Sequence, residues 1–162
     1  MKGVREPLLW IALASLATCL PVPPLVALAC ASLALSIQVL LETRIGEHAR
    51  QALQLARVAA WAACTLNALL LMPLPWVVIS IGTVSVPLAL LALSNALRRL
   101  AWVGGTGDDD QWFWAVGLLF AVGFFAGCLR LDLAIGVQFC TAPVLALLVL
   151  RFRRQFPFGI AR

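Results

Sequence analysis

Residues 8–41 read LLWIALASLATCLPVPPLVALACASLALSIQVLL, and the break inside this run decides the fold. As one straight helix at about 1.5 Å per residue, it would reach about 50 Å, well beyond the roughly 30 Å hydrocarbon core of a bilayer. Pro21, Pro23 and Pro24 interrupt it. Proline has no amide donor, clashes with the preceding turn and drives the residue before it into extended backbone, so a helix stops here. The run therefore predicts two short spans, near 8–20 and 25–41, joined by a tight turn. Lys2 and Arg5 lie just before the first and can lay their alkyl stems along it.

The same punctuation continues downstream. A polar segment over 42–50 leads into Gln51–Arg57, where Arg50, Gln54 and Arg57 share one helical face at i, i+4 and i+7, as in an interfacial stretch. A third span follows over 58–72, closed by Pro73-Leu74-Pro75. The fourth covers 76–97, with Pro87 expected to kink it and Arg98-Arg99 to end it. After the polar loop Gly104–Asp110 come a fifth span over 112–129, a turn at Arg130-Leu131-Asp132, and a sixth span over 133–150 closed by Arg151-Phe152-Arg153-Arg154. The expected fold is an all-α polytopic integral membrane protein, about six short transmembrane helices arranged as three helical hairpins in a single domain over 1–162.

Composition agrees with this reading. Of the 162 residues 63% are hydrophobic and only 12% charged, whereas a soluble domain carries about 25% charged residues. The charges also order the spans. With the N-terminus inside, Lys2, Arg5, Arg44, Arg50, Arg57, Arg98, Arg99, Arg151, Arg153, Arg154 and Arg162 all fall on the inner side, and Arg130 alone falls outside. That is the bias the positive-inside rule requires. Five spans, with 8–41 as one kinked helix, would scatter the later charges to both sides. The expected location is the cytoplasmic (inner) membrane, with both termini cytoplasmic. A cleaved leader is the competing reading of the start, with Lys2 and Arg5 before an apolar stretch and Ala27-Leu28-Ala29 as the cleavage site. The apolar continuation from Cys30 to Leu41 suits a second span better.

Trp10, Trp61 and Trp112 are spaced 51 residues apart, each opening a hairpin. A triplicated hairpin would produce this spacing. So would hairpins of similar length whose tryptophans settle at the interface.

The chemistry-bearing residues exclude more than they assign. No aspartate, glutamate or histidine falls near a span centre, where a proton-coupled transporter would hold one. Cys19, Cys30, Cys64, Cys128 and Cys140 form no Cys-x-x-Cys pair and read as small apolar residues, with a Cys19–Cys128 bridge as the alternative. Asp108-Asp109-Asp110 reads as an acidic start to the fifth span rather than a calcium site, which needs six to eight oxygen ligands. Glu47 and His48 are neighbours that would point apart on a helix, with no nucleophile beside them. No catalytic residue, metal ligand set or cofactor is expected. Nor is nucleic-acid binding, because the basic residues flank apolar runs with no basic-aromatic surface segment.

Polar uncharged residues inside the spans, among them Ser36, Gln38, Thr65, Ser80, Thr83, Ser85, Asn95 and Thr141, are expected to bond between helices. Asn67 and Gln138 are the candidate substrate-binding residues, because an amide needs several partners and sits poorly against lipid. Gly123 and Gly127 form a Gly-x-x-x-Gly pair for close helix packing. The function expected from these features is a non-enzymatic accessory or structural subunit of a membrane complex, with membrane lipid and a protein partner or further copies of itself around it. The alternative is a small transporter or substrate-binding membrane module for a neutral or amphipathic solute. A lipid-directed enzyme would have only Glu47-His48 and the aspartate run to work with.

Overall fold

The computed structural model describes residues 5–20, 22–43, 45–70, 76–103 and 107–155. It contains six helices: α1 (Arg5–Ala17), α2 (Pro23–Leu41), α3 (Glu47–Leu69), α4 (Trp76–Val103), α5 (Gly107–Leu129) and α6 (Leu131–Gln155), with no strand among the described residues. Among the described residues, four segments are long and apolar enough to cross a membrane: Pro23–Leu41, Ile79–Val103, Asp109–Leu129 and Leu131–Arg154. The remaining two helices fall short for different reasons. α1 has 13 residues and reaches only about 20 Å. α3 has the length, but Glu47, His48, Arg50 and Arg57 occupy its first half.

The first turn shows why the leading run splits. The amides of Cys19 and Leu20 bond back to Leu16 and Ala17, a 3₁₀-type tightening that ends α1. Val22 is extended (φ −108°, ψ 108°), as a residue before proline must be. Pro23 and Pro24 then occupy the first helical positions of α2, where a missing amide costs nothing. The second proline cluster, at 73–75, and the glycines of 104–106 lie outside the described residues.

Several boundaries differ from the sequence expectation. α1 stops at Ala17, not Leu20. α3 begins at Glu47, so the segment expected to be interfacial and the expected third span are one helix. α4 continues through Arg98-Arg99 to Val103, and α6 starts at Leu131 and runs through Arg151–Arg154. Arginine is a good helix former, so a basic pair marks where apolar surroundings end, not where the helix ends. α5 starts at Gly107, which makes the aspartate run helical, with its negative charges at the positive end of the helix dipole. Only Arg130 separates α5 from α6; its amide still bonds to Ala126 at 2.8 Å.

Each helix packs on the next in chain order, and α6 returns to α1, closing a ring. α4 also touches α6 across it. The ring is thus divided into a compact α4–α5–α6 triangle and a looser five-membered circuit of α1, α2, α3, α4 and α6. One end, the turn end, carries the α1–α2 and α5–α6 connections. The other, basic end carries Arg5, Arg50, Arg98, Arg99, Arg151, Arg153 and Arg154. Between them runs a core of Leu8, Ile11, Leu33, Ile37, Leu53, Leu90, Leu93, Phe120 and Leu145, each fully or almost fully buried. Phe113 and Phe152 meet edge to face at 5.8 Å and join α5 to α6. The outside is apolar as well: Leu28, Leu55, Phe125 and Leu147 are each about two-thirds exposed.

Equal tryptophan spacing does not translate into equal depth. Trp10 and Trp112 lie five residues into their helices, whereas Trp61 lies fourteen residues into α3.

Candidate binding pocket and charged collar

Five helices around one centre leave space that side chains must fill or line. At the turn end of the α1–α2–α3–α4–α6 circuit lies a pocket of about 220 Å³, bordered by Thr18, Cys19, Asn67, Thr83, Ile135 and Gln138 among others. Asn67 and Gln138, distant in sequence and singled out for the same chemical reason, both line it.

Both amides are buried, and both donate to backbone carbonyls. Asn67 Nδ2 donates to Ala63 O at 2.8 Å and to Gly82 O at 3.2 Å, linking α3 to α4. Gln138 Nε2 donates to Thr18 O at 2.5 Å, satisfying a carbonyl that the end of α1 leaves free. Neither side-chain carbonyl accepts a hydrogen bond from another described residue. The pocket therefore offers acceptors more readily than donors, and it is smaller than the usual 300–1,000 Å³ of small-molecule sites. Among the described residues no group of three or more His, Cys, Asp or Glu is placed to hold a metal ion.

The hydroxyls behave differently from the amides. Ser36, Thr65, Thr83 and Ser85 each donate to a carbonyl three or four residues back in their own helix. That is the local bond a hydroxyl always finds in a helix. Polar links between helices come instead from longer side chains, and Arg57 likewise donates to Gln38 Oε1 to join α3 to α2. Asn95 is exposed.

The two glycines of the Gly-x-x-x-Gly pair meet different surroundings. A Cβ on Gly123 would lie 2.9 Å from Val137 Cγ1 on α6, so α5 and α6 approach closely there. Gly127 borders a groove beside α3 and α4. All five cysteines are free, with Cys19 buried and Cys128 exposed.

At the basic end the aspartate run does more than start a helix. Asp110 Oδ1 pairs with Arg98 Nε at 2.8 Å on α4, and Asp109 Oδ1 faces Arg151 Nε at 3.5 Å on α6. Consecutive aspartates thus tie the start of α5 to both of its neighbours; the side chain of Asp108 lies outside the described residues. Arg153 Nε donates to Arg5 O at 2.8 Å and closes α6 on α1. Asp109 is unusual because its side chain is only 3% exposed and neither carboxylate oxygen accepts a hydrogen bond. Sequence reasoning missed it: nothing in three identical residues marks which one turns inward. Glu47 and His48 are both exposed and form no such arrangement.

No family model, no curated protein and no solved structure matches this chain.

Proposed function

We propose that the chain is a six-span protein of the cytoplasmic membrane, with both termini cytoplasmic, that serves as a non-enzymatic accessory or structural subunit. The observation that carries this reading is the distribution of polarity on a closed ring. The exterior is apolar, with large side chains such as Leu28 and Phe125 held out into the surroundings. Apart from Arg57, which bonds to Gln38 partway along α3, the described charged side chains gather at the two ends, most of them at the basic one, and several are consumed in ties between helices. Such a body is solvated by lipid and presents faces rather than reactive groups. Partner subunits or further copies of the chain would cover those faces. In this reading α1 and the second half of α3 cross the apolar layer as members of the ring, shielded by longer neighbours, and the charged first half of α3 stands at the cytoplasmic interface.

A second reading is favoured by one observation, the meeting of Asn67 and Gln138 in one pocket. It makes the chain a binding or transport module for a small solute that donates hydrogen bonds. One experiment separates the two: purification of tagged protein in a gentle detergent, with mass spectrometry of what stays bound. A stoichiometric protein partner is the expected result. A partner-free chain retaining a small molecule, lost on Asn67→Ala or Gln138→Ala, would replace the first reading with the second.

A further inference from the structure

A groove of about 870 Å³ opens outside α4, flanked by α3 and α5. Its walls are formed by Ala62 and Leu66 of α3, Ile81 and Leu88 of α4, and Phe124 of α5. Arg130 and Asp132 stand at its mouth, at the turn between α5 and α6. The α4 wall runs from Ser80 to Leu88, about 12 Å at 1.5 Å per residue, close to the depth of one leaflet's hydrocarbon. Beyond Leu88 a second recess of about 380 Å³ follows the α4–α5 seam as far as Arg98. Leu88, 44% exposed, stands between the two. Two leaflet-deep recesses that meet midway, each ending at an arginine, have the shape that tails from opposite leaflets fill.

The geometry points to the larger groove as a site for a glycerophospholipid whose headgroup carries both a phosphate and a primary amine. This rests on the membrane reading above. Arg130 and Asp132 are 3.6 Å apart and 72% and 84% exposed, a loose surface pair that contributes little by itself. Their charges complement such a headgroup. The guanidinium binds phosphate oxygens through parallel N–H donors, and the carboxylate accepts from the ammonium. A trimethylammonium headgroup has no N–H to offer Asp132, and a glycerol headgroup has no cation. The apolar walls take an acyl chain of any of these lipids, so the groove confers retention and the mouth confers selectivity.

The test reconstitutes the full chain in nanodiscs of equal phosphatidylethanolamine, phosphatidylcholine and phosphatidylglycerol. Retained lipid is then counted by native mass spectrometry after detergent washing. One phosphatidylethanolamine per chain is expected, enriched about tenfold over phosphatidylcholine, the factor a charge-assisted hydrogen bond provides. Asp132→Asn should equalise these two lipids, Arg130→Gln should lower retention of all three, and Ala62→Phe should lower retention by filling the wall while leaving the mouth intact. Lipids retained in bulk proportion, selectivity unmoved by the mouth variants, or a protein helix cross-linked into the groove would each overturn the site. If the chain enters the bilayer and shows bulk proportions, the lipid site alone falls. If it does not enter the bilayer, the membrane reading falls with it.

Discussion

Gly123 shows how one residue sets the distance between two helices. An added Cβ would meet Val137 Cγ1 at 2.9 Å and Val137 Cβ at 3.2 Å. Valine is stiff at χ1 in a helix, and its Cβ moves only with the backbone, so the contact cannot be relieved by a rotamer change. Gly123→Ala gains about 1 kcal/mol in helix propensity and loses about 1–3 kcal/mol to overpacking, so a net fall in stability is expected. Val137→Ala in the same background should recover part of it. Thermal denaturation in detergent reads both; a stabilised Gly123→Ala would show that the helices are not held this close. That Gly123 and Gly127 share a face was legible, but what each of them meets was not, because sequence spacing says which residues share a face and not what the face meets. The same holds for Asn67 and Gln138. Chemistry singled them out as residues needing partners, whereas their common pocket depends on α6 returning to α1.

Among elements, α5 is the one whose anchoring depends on charge. It is apolar along its length after the first turn and so has little to orient it. Asp110 holds it to α4 and Asp109 to α6. The Asp109–Arg151 pair is lopsided: the carboxylate is 3% exposed, the guanidinium 53%. Removing the arginine leaves a buried carboxylate without a counter-charge, the costly half of such a pair to lose. Removing the carboxylate releases an arginine that water already reaches. Arg151→Leu is therefore expected to destabilise the protein more than Asp109→Leu, the reverse of what exposure alone suggests, and Asp109→Leu should largely rescue Arg151→Leu. Melting curves of the two single variants and the double variant measure this. An equal cost for the two single changes would contradict this asymmetry.

Helix existence was readable at this scale, and helix ends were not. Proline leaves a mark because it removes a donor, and Val22-Pro23-Pro24 ends one element and starts the next as anticipated. Charge leaves no comparable mark. Arg98-Arg99 and Arg151–Arg154 sit inside helices, since arginine tolerates helical backbone and only its head seeks water.

For the whole molecule, the six helices form one ring with an α4–α6 contact across it. The alternation of turns and charges was visible in the sequence; the crossing was not, because contacts between helices distant in the chain leave no periodic trace. The ring explains why α1, at 13 residues, can belong to a body whose other helices are longer. It is flanked by α2 and α6. Among the described residues four helices are long and apolar enough to cross a membrane, although all six share the core.

The central claim is that this ring spans a membrane with its basic end in the cytoplasm, and cysteine accessibility tests it most directly. In a background without Cys19, Cys30, Cys64, Cys128 and Cys140, single cysteines at His48, Asp132 and Arg154 would be treated with a membrane-impermeant maleimide in intact cells and in inverted vesicles. Asp132→Cys is expected to label only in intact cells, and His48→Cys and Arg154→Cys only in inverted vesicles. Labelling of His48→Cys and Asp132→Cys from the same side would contradict the six-span ring.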